Sequence, residues 1–328
     1  MDKKFSTTNT QLRKLRSRGL IIPNGSRAKH ILEMENYYNI INGYKELFID
    51  SSYQGEDEQY KAGSNFNEIY ALYTFDRELR NLFIRYILEI ENNIKSVIAH
   101  DFSKKYGHDN YLKLANFDTT VQNYEKKKTI AQKNGEIVDL IAGLQREISN
   151  QLRKNSPMIS HHVLTYGYIP LWVLINTLSL GTVSKFYSYL KQKDQNDIGR
   201  KFNLKPEELS KFLFILALYR NACAHDERLF NLKSRKADTK PNSIKDNSLH
   251  TQLGIPKNSS NTYIKGKNDL FAIVIIFKLM LSKKAFNKFA FAMKELFDKL
   301  SKEIATISLA DVEQEMGFPS NWWDIKNL

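Results

Sequence analysis

The chain has 328 residues, of which 42% are hydrophobic and 12% aromatic, which is enough apolar material for a buried core and excludes a disordered chain. Its 14 glycines and 7 prolines are few, which argues against a turn-rich sandwich or barrel and favours long helices. The single cysteine excludes a disulfide framework and a cysteine-based metal cluster. Without a long apolar run or an apolar leader, the sequence predicts a cytoplasmic protein with no membrane partner.

The formal charge of +13 is concentrated in two segments of the chain. Residues 1–30 carry eight Lys or Arg against one acid, residues 233–268 carry eight against two, and the remainder is balanced. Such concentration favours a polyanionic partner, either nucleic acid or a membrane surface, over the alternative of two solvated tails. We expect RNA, because residues 8–18 offer only two leucines to a membrane. The candidate RNA-binding residues are Arg13, Lys14, Arg16, Arg18, Lys233, Arg235 and Lys236.

The N-terminal pattern predicts two helices. Residues 8–18 form a short helix with Leu12 and Leu15 inward, and residues 26–48 form a second helix with Ser26 as N-cap. The side chains of the second helix predicted to face inward recur at steps of three and four: Ile31, Met34, Tyr37, Tyr38, Ile41, Tyr44 and Phe48.

The rest of the chain also reads as helix, so the predicted class is all-α. Residues 66–106 contain no glycine or proline and predict one helix of about 60 Å. Further helices are expected over 119–154, in two short pieces around Pro170, from Pro206 onwards, and over 269–304. Residues 233–268 are rich in Ser, Asn and Lys and predict a mobile basic insertion.

The helix that begins at Pro206 changes character at its end. Residues 212–219 are apolar all round, which is typical of a core helix, and the chain then turns polar at Arg220. His225 follows five residues later, about 140° around an ideal helix and about 7.5 Å along its axis. The two side chains converge only if the helix ends between them or if a second chain completes the site. The small residues Ala222, Cys223 and Ala224 would let another helix approach.

Arginine and histidine together suit attack by a ribose 2′-OH on its own phosphate. His225 can move a proton near neutral pH, and Arg220 can donate to the charged phosphorus centre, without a metal or another cofactor. One histidine cannot easily serve both sides of the phosphorus, so two copies in a dimer fit better. The alternative is structural: Arg220 would be buried and paired with Asp226 or Glu227.

The stretch RNACAHDERLFN resembles the R–N–x–x–x–H motif of HEPN ribonucleases, in the form typical of Abi-like (AbiD/AbiF) abortive-infection proteins. The stretches QLRKLRSRGLIIPNGSRAKHILEMENYYNIINGYKELF, YTFDRELRNLFIRYILEIENNIKS, PLWVLINTLSLGTVSKFY and MGFPSNWW are similar to that family in the same order. The resemblance implies a HEPN-like helical bundle, a homodimer, and a metal-independent endoribonuclease toxin of phage defence. In some members a structured noncoding RNA restrains the toxin.

The resemblance also implies roles for single residues. Arg220 and His225 would be the catalytic pair, and Asn221 would orient them. Arg228 and Asn231 are supporting candidates, with the alternative that they only hold the following turn. Glu91 would orient Arg220, with a surface ion pair as the alternative.

The expected organisation is a basic RNA-contacting region over 1–60, a HEPN-like core over 65–232, the basic insertion over 233–268 and C-terminal helices over 269–328 that pack on the core. The competing function is a catalytically inactive RNA-binding or scaffold protein on the same fold.

Overall fold

The structure is a computed structural model, and it describes residues 5–121, 128–234 and 242–328. Within these ranges the regular secondary structure is helical, and backbone pairing outside the helices is limited to isolated bridges such as Ile21 with Asn65. The predicted all-α class is therefore confirmed. Among the same residues, no helix is long and apolar enough to cross a membrane.

The α-helices over the described residues are, in chain order, α1 (Thr8–Ser17), α2 (Gly25–Glu35), α3 (Phe66–Tyr106), α4 (Ile130–Arg153), α5 (Pro157–Tyr166), α6 (Leu171–Leu174), α7 (Leu180–Tyr189), α8 (Gln192–Lys201), α9 (Pro206–Ala224), α10 (Ser248–Gln252), α11 (Leu270–Met280), α12 (Lys283–Leu300) and α13 (Leu309–Glu315).

Helix α3 runs unbroken for 41 residues, as its sequence predicts. The side chain of Asn65 accepts hydrogen bonds from the backbone N–H groups of Asn67 and Glu68, which satisfies donors at the helix start. Gly107 ends the helix with φ +91°, a conformation that favours glycine. A single helix about 60 Å long therefore supplies one rigid surface for the rest of the molecule.

The core is built on both sides of α3. Helices α6, α9 and α12 pack against it, and α7 covers α9. Phe83 of α3 meets the rings of Phe277 and Phe289 at centroid distances of 5.6 and 5.3 Å. Buried apolar residues from Leu12 to Ile325 form one continuous cluster, so α1 and the C-terminal helices share a core with α3 and α9.

The predicted single helix over 26–48 is wrong. Helix α2 is capped by Asn24 rather than Ser26, and it ends before Asn36, which adopts φ +67°. A π-helical turn at Tyr38–Asn42 and a 3₁₀ turn at Glu46–Phe48 follow. Two side chains predicted to face inward are exposed, Met34 by 68% and Tyr38 by 67%. Apolar spacing did not reveal where this helix ends, because asparagine tolerates a left-handed conformation that redirects the chain.

The prediction of a mobile insertion over 233–268 also differs from the structure. Part of it, residues 235–241, lies outside the described residues. The part that follows contains α10 and contributes to the core through Ile244, Leu249, Leu253 and Ile255. These few apolar residues are scattered among Ser, Asn and Lys, so the polar composition of the segment concealed them.

Candidate functional site

Helix α9 carries the arginine–histidine motif to the surface. Pro206 occupies its first turn, Glu207 and Glu208 lie near its positive N-terminal end, and its apolar middle is buried. The helix continues through Ala224, and the backbone N–H of His225 still donates to the carbonyl oxygen of Asn221 at 2.9 Å. The chain turns only at Asp226, with φ +57°. Ala224 is therefore the last helical residue, and His225 caps the helix directly after it.

Arg220 lies against a buried acid on α3. Its Nε atom is 3.8 Å from Oε2 of Glu91, which is too long for a hydrogen bond, and both atoms are buried without a hydrogen-bond partner among the described residues. The Arg220 side chain as a whole stays 32% exposed. The buried end of the side chain is thus near the carboxylate, and part of it reaches solvent.

Glu91 belongs to a buried charged group. It is 4% exposed, and its Oε1 atom is 2.6 Å from Nζ of Lys95, which is also buried. The alternative that Glu91 forms a surface ion pair is therefore wrong. Two cations, Lys95 and Arg220, share this one carboxylate, and removal of the carboxylate would leave a buried ammonium unpaired.

The acids that follow the motif do not pair with Arg220. Asp226 binds Nη2 of Arg80 at 2.5 Å, and the carbonyl oxygen of Glu227 accepts from Nη1 of Arg80 at 3.4 Å. The structural alternative for Arg220, a pair with Asp226 or Glu227, is thus not the arrangement found. Arg80 has that role instead.

Asp76 fastens the segment after the motif to α3. This carboxylate is fully buried and accepts hydrogen bonds from Tyr44 Oη at 2.6 Å and from the backbone N–H groups of Leu229 and Phe230 at 3.0 and 2.7 Å. Arg80 completes its shell at 2.8 Å. Burial raises the pKa of Asp76, while these four donors act in the opposite direction.

Sequence reasoning missed Asp76 and Arg80, and it predicted the burial of Tyr44 but not its hydrogen bond to Asp76. The available signal was an acid and an arginine four residues apart on the apolar face of α3, where charged residues are rare unless they are paired.

The supporting candidates have different environments. Arg228 donates from Nη1 to the carbonyl oxygen of Gly43 at 2.7 Å, so it holds the turn after the motif against residues 38–44. Asn231 is half-buried, and no hydrogen bond engages its side chain among the described residues. Asn221 is exposed on the last turn of α9.

Burial raises the pKa of the neighbouring Cys223 to about 12, so its thiol stays protonated at neutral pH.

Helix α1 presents three of the four predicted basic residues to solvent. Arg13, Lys14 and Arg16 are exposed. Arg18 differs, because it is paired with Asp57 at 2.6 Å and Glu58 at 3.2 Å and its side chain is only 16% exposed. The prediction that Arg18 joins a free basic array is therefore wrong.

The second basic segment offers less to a partner than its composition suggests. Lys233 is half-buried and donates to the carbonyl oxygen of Glu315 at 2.9 Å. Arg235 and Lys236 lie outside the described residues. In the described ranges, no three His, Cys, Asp or Glu side chains are grouped so that they could hold a metal ion.

These features define an all-α protein that displays an arginine–asparagine–histidine motif at the end of a buried helix. A sequence model of the family described as Abi-like protein matches residues 30–231, more than half of the chain. The chain belongs to the Abi-like family. The match ends just after the turn held by Asp76, and it leaves α1 and residues 232–328 outside. No curated protein and no solved structure matches the chain.

Proposed function

We propose that this protein is a HEPN-type, metal-independent endoribonuclease toxin that acts in the cytoplasm in abortive-infection phage defence. The observation that carries the proposal is the position of Arg220, five residues before exposed His225: its buried Nε faces the Glu91 carboxylate while part of the side chain reaches solvent. An arginine held in this way can meet a phosphate without losing its place in the fold. Membership of the Abi-like family supports the role in defence.

The chemistry is a transesterification of RNA. His225 takes the proton of a ribose 2′-OH, the 2′-oxygen forms a bond to phosphorus, and the bond from phosphorus to the 5′-oxygen breaks. A second histidine, from the other copy, gives a proton to that departing oxygen. Arg220 stabilises the added negative charge on the phosphorus centre, and Asn221 orients the pair. The products are a 2′,3′-cyclic phosphate and a 5′-hydroxyl.

A homodimer is part of the proposal. Helix α9 continues to Ala224, so within one chain the motif residues keep the angular separation of a helix. Two motifs facing each other across a two-fold axis would supply an arginine and a histidine on each side of one phosphate. The exposed surface of Asn221 and Ala224 leaves room for the close approach of a second α9.

RNA is the proposed substrate and, in structured noncoding form, a regulator. The support is the array of Arg13, Lys14 and Arg16 on α1, whose exposed charges can contact successive phosphates. Lys233, which is already bonded to Glu315, has a smaller share in RNA binding.

The test is cleavage of labelled RNA by purified protein in EDTA. We expect cleavage to persist and to leave 2′,3′-cyclic phosphate ends, and we expect Arg220→Ala and His225→Ala each to reduce the rate by about 10²- to 10⁴-fold. His161→Ala, at an exposed histidine of α5, is the matched control. RNA that is bound but not cut would instead support the scaffold alternative, and full activity of folded His225→Ala would refute the catalytic assignment.

A further inference from the structure

A pocket of about 350 Å³ opens beside the end of α9. Its walls are residues 38–39 and 42–44, Tyr73 and Arg80 of α3, and residues 226–228. One wall residue, Asp226, directly follows the proposed catalytic histidine His225 in the chain. Its volume lies in the range of small-ligand sites.

The inner surface of this pocket is held rigidly. Arg80 lies between the carboxylates of Asp76 and Asp226, and the Tyr73 hydroxyl donates to Glu35 at 2.6 Å. Arg228 is tied to the backbone at Gly43. These contacts join the two walls to α3, so the pocket is formed before any ligand enters.

The rim, in contrast, offers unused polar groups. Tyr38, Asn39, Asn42 and Glu227 are exposed, and within the described ranges no hydrogen bond or ion pair engages their side chains. The change of direction at Asn36 brings the first three of them to this edge; a continued α2 would have carried them elsewhere. The rim therefore combines an aromatic ring, two amides and a carboxylate.

This set of groups fits a nucleobase better than a phosphate. The acids Asp226 and Glu227 offset the two arginines, so the pocket has no excess positive charge for a phosphate. Single-stranded RNA is recognised by stacking of splayed bases on aromatic rings and by hydrogen bonds to base edges. A carboxylate accepts from an exocyclic amine, which adenine, cytosine and guanine carry and uracil lacks.

We propose that this pocket binds an unpaired, amine-bearing base of RNA that flanks the scissile phosphate, with Tyr38 stacked on the base and Glu227 accepting from its amine. The inference rests on the proposed ribonuclease function for the identity of the neighbouring phosphate. Base binding itself can be measured without cleavage.

The experiment measures affinity of the full-length His225→Ala protein for short single-stranded oligo(A), oligo(C) and oligo(U) in EDTA, by fluorescence anisotropy. We expect tighter binding of oligo(A) and oligo(C) than of oligo(U). Adding Tyr38→Ala should weaken oligo(A) binding by roughly tenfold, because stacking on an aromatic ring is lost, while Tyr38→Phe should bind normally. Adding Glu227→Gln should reduce the difference in affinity between oligo(C) and oligo(U), because the carboxylate that accepts from the amine is lost. Tyr53→Ala, at a half-exposed tyrosine outside the pocket, is the matched control.

The outcomes separate the two proposals. Unchanged oligo(A) affinity in folded Tyr38→Ala, or equal affinity for the three oligonucleotides, would overturn the pocket proposal while leaving cleavage by the parent protein untouched. Tyr38-dependent binding by a protein that never cuts RNA would support the pocket and refute the ribonuclease. A melting curve of each variant checks that it is folded, and exposed Tyr38 should tolerate replacement.

Discussion

The Nε atom of Arg220 on α9 lies 3.8 Å from Oε2 of Glu91 on α3, and both atoms are buried. Glu91 in turn binds Lys95 at 2.6 Å, so one carboxylate faces two cations from two packed helices. The position of the proposed catalytic arginine is therefore linked to the packing of α9 on α3.

Replacement of Glu91 should affect stability and activity through different partners. Glu91→Ala leaves Lys95 as an uncompensated buried charge, which should lower the free energy of unfolding by about 3–5 kcal/mol in urea titrations. The double variant Glu91→Leu/Lys95→Met should recover most of that loss, since the buried ammonium is removed together with the carboxylate and the Arg220 side chain remains partly exposed to solvent.

If Glu91 also positions Arg220, the recovered double variant should still cleave RNA more slowly than the parent, with kcat reduced and KM little changed. Parental kcat in this folded variant would show that Glu91 serves stability alone.

Asp76 should be indispensable for the turn after the motif. Asp76→Ala removes the acceptor for Tyr44, for two backbone N–H groups and for Arg80, and we expect a loss of about 3–5 kcal/mol in unfolding free energy. Hydrogen exchange of residues 226–231 should quicken, because their donors lose a partner. Asp197→Ala, which removes an exposed ion pair with Arg200, should change stability by less than about 1 kcal/mol.

Acid should loosen the contact between α2 and α3. The hydrogen bond from Tyr73, with help from Arg77, holds the pKa of Glu35 below its ordinary value of 4.5. Because the folded state favours the ionised carboxylate, this contribution to stability is present above pH 4.5 and is lost as the pH falls through the lower pKa of the folded state. The Tm of Glu35→Gln should therefore fall less than that of the parent between neutral pH and pH about 3. Parallel curves of Tm against pH for Glu35→Gln and the parent would contradict a role of ionised Glu35 in stability.

The charges on α1 should control RNA affinity without affecting the fold. Replacing Arg13, Lys14 and Arg16 by Gln should weaken binding to all RNA sequences and lower the log–log salt slope by roughly 0.7 for each lost phosphate contact on single strands. The Tm should barely move, since these side chains are exposed.

Arg18→Gln is the matched control for α1. Arg18 is already paired with Asp57 and Glu58, so its loss should leave the salt slope unchanged while loosening the loop that carries those acids. If Arg18→Gln lowered the salt slope as much as a single change at Arg13, Lys14 or Arg16, the distinction between paired and exposed basic residues would be wrong.

The proposed dimer can be tested at Ala224, an exposed small residue at the end of α9. Ala224→Arg should shift the RNA-free protein from dimer to monomer in sedimentation at micromolar concentration and should abolish cleavage, because the added side chain blocks close approach of two helices. A monomeric variant that still cuts RNA would refute a shared cleft.

The helical class, the full length of α3 and the polar end of α9 could all be predicted from the sequence. These features depend on neighbours in the chain: apolar residues every three or four positions, Asn65 at the start of α3, Gly107 after its end, and Pro206 in the first turn of α9. The change from apolar to polar residues at Arg220 is also a pattern of neighbours in the chain, so the sequence alone could indicate the candidate site.

Tertiary structure decided which charges are available at the candidate site. Arg18 is neutralised by acids some forty positions away, and Glu91 meets Arg220 only because α9 packs on α3. The turn after the motif depends on Asp76, about 150 positions earlier in the chain. The proposed base pocket depends on the change of chain direction at Asn36. Spacing along the chain encodes burial and helix ends, whereas pairing between distant charges and the space between elements arise only when the helices pack together.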